Sequence, residues 1–136
     1  MPDSEPATFP TEDTALTHIL VVSDFDRARD WYRDVLGAEL VREYGGSSAV
    51  FRFGGTWLLV VTGGGPTDDK PGVTFEPPDP SRVSHSVTIR VEDCRAIYEL
   101  LTARGAEFLT PPYDWGQEIR CFFRDPDGHL FEISQA

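Results

Sequence analysis

The chain has 136 residues, enough for one domain with a real core, and carries a formal net charge of −11. That charge excludes nucleic acid and anionic membrane surfaces as partners, since both need basic patches, and no apolar run approaches the ~20 residues of a membrane span. The two cysteines, Cys94 and Cys121, are too few for a disulfide framework and read as reduced thiols of a cytoplasmic protein.

Residues 1–14 hold Asp3, Glu5, Glu12 and Asp13 with no base, together with Pro2, Pro6 and Pro10. Such a stretch cannot bury apolar surface and is expected to be a disordered acidic tail; with no basic start and no apolar centre it does not read as a signal peptide. Residues 15–62 form a first module. An apolar, β-branched strand over Leu16 to Val22 leads to Asp24 and Asp26, whose charge suits a helix start. Phe25, Ala28, Tyr32, Val35 and Leu36 recur at helical spacing, and Gly37 fits the left-handed stop. Three strand-like runs follow, Glu39 to Glu43, Ala49 to Phe53 and Trp57 to Thr62, broken by Gly45-Gly46 and Gly54-Gly55.

Residues 63–82, rich in Gly and Pro, read as a linker. Residues 83–136 then repeat the order: a strand over Ser84 to Val91, a helix from Cys94 to Ala103, and strands at Glu107 to Leu109, Ile119 to Phe123 and Leu130 to Ser134. The tight turn Asp125-Pro126-Asp127-Gly128 joins the last two. The repeat extends to detail, because Val22-Ser23-Asp24 and Gly37-Ala38-Glu39 return as Val91-Glu92-Asp93 and Gly105-Ala106-Glu107. Two equal modules facing each other across a cleft make a natural ligand site.

Paired β-α-β-β-β units closing on Asp125-Pro126-Asp127-Gly128-His129-Leu130-Phe131-Glu132 resemble the vicinal oxygen chelate superfamily, which includes glyoxalases, extradiol dioxygenases, fosfomycin-resistance enzymes and bleomycin-binding proteins. The resemblance runs from Leu16 to the C-terminus and is strengthened by the stretch from Asp24 through Trp31-Tyr32 to Leu36-Gly37. It implies an α+β fold in which two tandem βαβββ modules form a curved, eight-stranded mixed sheet, a cup with its helices outside. Metal-using members place ligands on the inner face of the first and last strand of each module, where the metal acts as a Lewis acid on a substrate with adjacent oxygens.

Carried over by residue, Glu132 matches the last ligand and doubles as a catalytic acid/base. The other positions are less direct. Counting back from Val22 and Val91 in the family's spacing reaches Thr17 and Ser86, whereas the histidines are His18 and His85, each displaced by one residue. In a regular strand such a slip turns a side chain to the other face. Either Thr17 and Ser86 replace the ligands, or a β-bulge at each strand start turns the histidines inward. In the second case His18, His85 and Glu132 form a three-ligand site for Fe, Mn, Ni or Zn; the remaining ligand position is occupied by Leu59. His129 reads as a surface or capping residue.

Period-two alternation from Glu132 proposes Thr17, Ile19, Val21, Val50, Arg52, Trp57 and Leu59 as the lining from module one, and Ser86, Thr88, Arg120 and Phe122 from module two. Of these, Thr17, Arg52, Trp57, Ser86, Thr88, Arg120 and Phe122 are the candidate substrate contacts, joined by Trp115 from a loop that would act as a lid. Two functions follow. The first is a glyoxalase- or dioxygenase-like enzyme, a metal-dependent lyase, isomerase or ring-cleaving dioxygenase. The second is a metal-free binding protein of the bleomycin-resistance kind, with no cofactor, sequestering a hydrophobic or cationic compound. Thiol transfer of the fosfomycin type is disfavoured because the sequence shows no cluster of cations. The partners expected are a small molecule and a second copy of the chain in a homodimer, with modules pairing within one chain or swapped between two.

Overall fold

A computed structural model describes residues 6–136. Of the expected acidic tail, residues 1–5 lie outside the described residues, and residues 6–16 are exposed without strand or helix.

Module one runs β1 (Thr17–Val22), α1 (Phe25–Trp31), a π-helical turn (Tyr32–Leu36), β2 (Glu39–Tyr44), β3 (Ser48–Phe53) and β4 (Thr56–Thr62). Its four strands form a sheet in the order β1-β4-β3-β2, with β1 and β4 parallel. Asp24 starts α1 from extended backbone, its carboxylate accepting the Arg27 N–H at 3.2 Å, which satisfies one of the donors a helix start leaves open. Gly37 closes the π turn at φ 85°, a conformation that L side chains avoid.

Module two runs β5 (Val87–Arg90), α2 (Cys94–Arg104), β6 (Glu107–Phe108), β7 (Tyr113–Asp114), β8 (Ile119–Arg124) and β9 (Leu130–Gln135). The sheet order is β5-β9-β8-β6, with β7 pairing β8 and with β5 parallel to β9. Asp93 repeats the cap of module one, accepting the Ala96 N–H at 3.0 Å. Two details differ from the sequence-based expectation. The strands lie in two mixed sheets of four and five, because the short β7 adds a rung to β8 within the segment expected to be a loop. And β5 starts at Val87, so Ser84, His85 and Ser86 precede the ladder rather than belong to it.

The core is one cluster drawn from both modules. Leu20, Val22, Phe51, Leu58 and Val60 come from the first sheet, and Cys121, Phe123, Phe131 and Ile133 from the second, all at most 3% exposed. These are the alternate residues of their strands, as the period-two pleat requires. The helical segment of module one covers both sheets: the Trp31 ring lies 6.1 Å from Phe123 and 6.2 Å from Phe131, and Tyr32 lies 5.9 Å from Phe51. Apolar burial of this kind stabilises by about 1.5–3 kcal/mol for each large side chain.

A polar network fastens the same segment to the last turn. The buried Asp125 carboxylate accepts the Tyr32 hydroxyl at 2.5 Å, His129 Nδ1 at 2.7 Å, and the backbone N–H groups of Asp127 and His129 at 3.0 and 2.8 Å. Burial, with the Asp125 charge beside it, pushes the Tyr32 hydroxyl well above its ordinary pKa. Asp127 in turn accepts the Ser23 N–H at 2.9 Å and the Ser23 hydroxyl at 2.7 Å. The linker also docks on this turn: Gly128 sits at φ 97°, and a Cβ there would meet Pro80 at 2.8 Å. His129, expected at the surface or as a cap, is thus a brace of the fold.

Candidate functional site

Alternation leaves a second face on each sheet, opposite the core. In module one the register stacks three rows across it: Thr17, Trp57, Arg52 and Glu39; then Ile19, Leu59, Val50 and Arg42; then Val21, Val61, Ser48 and Tyr44. Arg42 reaches this face only because the β2–β3 register shifts between Leu40 and Arg42; without that bulge it would share the core side with Leu40. In module two the rows are Thr88, Glu132 and Phe122, then Arg90, Ser134, Arg120 and Tyr113. Every residue proposed by alternation from Glu132 that lies within a strand falls on these faces.

Glu132 sits at the centre of the second face with its side chain 13% exposed. The Thr88 hydroxyl donates to one carboxylate oxygen at 2.6 Å, and Arg120 Nε lies 3.8 Å from the other. Arg120 also reaches Glu118 at 3.3 Å and sits over the Trp115 and Phe122 rings, 5.3 and 5.9 Å from their centroids. Glu118 accepts the Ser134 hydroxyl, and this bond, with Arg120 and Arg90 nearby, holds its carboxyl below the usual range. Trp115 is placed by β7: its N–H donates to the Glu118 carbonyl at 2.8 Å, and its ring packs on Tyr113 at 4.6 Å. In module one, the Arg52 guanidinium sits over Trp57 at 4.8 Å.

The three residues expected to share a metal are not brought together. β1 pairs with β4 without a break from Thr17 to Val22, so there is no bulge to turn His18. His18 lies opposite Leu58, on the side of Leu20 and Val22, while Thr17 takes the cup-side position. His85 stands before β5, and its ring stacks on His18 with centroids 5.6 Å apart. Glu132 points to the other face, toward Thr88. Among the described residues no group of three or more His, Cys, Asp or Glu side chains could hold a metal ion. The cup-side donors around Glu132, two carboxylates sharing one guanidinium plus neutral hydroxyls, do not fit a divalent cation, which needs several free oxygen or nitrogen ligands.

Other residues sort by contact. Ser86 and His85 line a crevice of about 270 Å³ between the modules, together with Ile19, Val21 and Leu130 and with Glu76 from the linker. Cys94 and Cys121 are buried with their sulfurs 3.7 Å apart, away from the cup, and burial pushes the Cys121 thiol up to about 12. Sequence reasoning missed Arg42, Arg90 and Glu118, and placed Tyr113 in a loop with Trp115 rather than in a strand. Alternation from Thr88 and from Arg120 was a sufficient signal for Arg90 and Glu118. Nothing in the sequence marks the bulge that places Arg42 or the two-residue strand that places Tyr113.

The fold matches known proteins over nearly the whole chain. A family model described as the glyoxalase/bleomycin resistance protein/dioxygenase superfamily matches residues 15–133, and the chain belongs to that superfamily. The chain is 32% identical over 117 residues to a metallothiol transferase, FosB, of Shouchella clausii (strain KSM-K16), covering 82% of this chain and 73% of that protein. Among solved structures, a lactoylglutathione lyase from Agrobacterium tumefaciens superposes with a TM-score of 0.68 at 20% identity, over 93% of this chain and 96% of that one. TioX from Micromonospora sp. ML1 superposes with a TM-score of 0.64 at 27% identity, over 90% and 96% of the two chains. Among the described residues no helix is long and apolar enough to cross a membrane.

Proposed function

We propose that this chain is a metal-free small-molecule-binding protein, the second of the two functions the sequence suggested, and that its ligand occupies the faces opposite the core. One observation carries the reading. Glu132 is engaged by Thr88 and Arg120, while His18 lies on the core side of β1 and His85 stacks on it rather than joining Glu132. A cup so built binds through aromatic surface and guanidinium groups: Trp57, Phe122 and Trp115 supply the first, Arg52 and Arg120 the second. Thr88 and Arg120 fix the Glu132 carboxylate as an acceptor for a ligand donor. Exposed apolar residues along these strands, including Ile19 at 49% and Tyr113 at 58%, favour a homodimer that covers them, an expectation checked by analytical ultracentrifugation.

A second reading, a divalent-metal lyase, isomerase or dioxygenase, is favoured by the convergence of His18 and His85, which are distant in sequence yet stacked. The FosB relative is named as a metallothiol transferase. Metal analysis of the purified protein by mass spectrometry after mild dialysis separates the two readings. The binding-protein reading predicts no stoichiometric metal, with ligand binding undiminished by EDTA. Stoichiometric Mn, Fe, Ni or Zn that disappears in His18→Ala and His85→Ala would establish the metal enzyme in its place.

A further inference from the structure

We infer that the ligand of this cup is a small planar anion, an aromatic or conjugated ring bearing a carboxylate or similar oxyanion. The inference rests on the binding function proposed above and deepens it. The chain's net charge of −11 would by itself favour a cation. The cup face reverses that balance, and what decides it is which charges are already compensated.

Both carboxylates near the centre are held. Glu118 and Glu132 each lie within 4 Å of Arg120, and each accepts a hydroxyl hydrogen bond, from Ser134 and Thr88 respectively. The guanidiniums are not held in the same way. Among the described residues no ion pair uses Arg42, Arg52 or Arg90. Glu39 stands across the β2–β3 ladder from Arg52, in register, yet the two form no pair. Two of these arginines are oriented by rings instead: Arg52 over Trp57 at 4.8 Å and Arg42 over Tyr44 at 5.9 Å. A guanidinium held over a ring face leaves the N–H groups at its edge free for a bidentate oxyanion.

The rings supply the other half of the recognition. Trp57 on one module, with Phe122 and the Tyr113–Trp115 pair on the other, offers π faces beside the cations. A flat ring stacks on such surfaces with little loss of conformational freedom. A cation entering the same face would meet the unpaired Arg42 and Arg52, with Glu39 the one unpaired carboxylate among the described residues in the rows beside them.

The test uses the full chain and two probes of the same ring and opposite charge, 2-naphthoate and 2-naphthylmethylammonium, each followed by amide chemical shifts and by calorimetry at neutral pH. The expected result is that naphthoate binds at least about tenfold more tightly and shifts the amides of Arg52, Trp57, Thr88 and Arg120. Arg52→Gln should weaken it by roughly tenfold, the size of one charge-assisted hydrogen bond. Arg33→Gln, whose ion pairs lie within the helical segment of module one, should leave it unchanged. Tighter binding of the ammonium with the same amides shifting would overturn the anion while leaving the cup as the binding site. Failure of both probes to shift those amides would overturn the binding function as well.

Discussion

Two carboxylates flank the final hairpin, and they are used in opposite ways. Asp125, with its side chain fully buried, accepts from four donors, one of them the Tyr32 hydroxyl of the other module. Glu132, on the strand that follows, accepts one hydroxyl and faces one guanidinium at 3.8 Å. The difference follows from the pleat and from what each side packs against. A carboxylate enclosed by donors has no capacity for a ligand, and its removal strands several groups in the core. A carboxylate on the open face contributes little to stability and keeps acceptor capacity. The first therefore holds the modules together, and the second is the one the proposed site can use.

The largest effect should come from Asp125→Ala. It leaves the Tyr32 hydroxyl, the His129 ring and two backbone N–H groups without their acceptor, and should lower the unfolding free energy by about 3 kcal/mol or more, read from urea denaturation. Tyr32→Phe keeps the ring in the core and removes one donor to the same carboxylate; a loss of about 1.5–3 kcal/mol is expected in the same assay. By contrast, Glu132→Gln and Thr88→Val should change stability by no more than about 1 kcal/mol while weakening ligand binding in calorimetry. A stability loss at Glu132 as large as that at Asp125 would erase the distinction between the two carboxylates.

The smallest effect concerns acid. The Ser134 hydroxyl, helped by Arg120, lowers the folded pKa of Glu118, so its contribution is present above the unfolded carboxyl value near ~4.3 and is lost as pH falls through the folded value. Glu118→Gln should lower the neutral-pH melting temperature slightly and flatten its fall over that acid window, so that variant and unmutated protein converge in acid.

Much of this division was legible in the sequence. The repeated strand-helix-strand order, the caps at Asp24 and Asp93 and the glycine stops at Gly37 and Gly105 depend on local chemistry, which a sequence displays directly. Alternation from Glu132 located Arg52, Trp57, Thr88, Arg120 and Phe122 because the strands are regular where those residues sit. The histidines were ambiguous for the same reason: a one-residue slip reverses a side chain, and only the ladder shows that β1 runs unbroken past His18. Arg42 needed the bulge at Val41, a departure from the pleat with no glycine or proline to announce it. Asp125 reads as a turn residue, and its bond to Tyr32 spans the chain, beyond any local pattern.

The central claim is that the cup works through Glu132, Thr88 and Arg120 without a metal. Titrating Mn(II) into the labelled protein and following paramagnetic broadening of its amide signals tests this most directly. The account predicts no selective broadening around Thr88 and Glu132. Selective broadening there that vanishes in Glu132→Ala would contradict it.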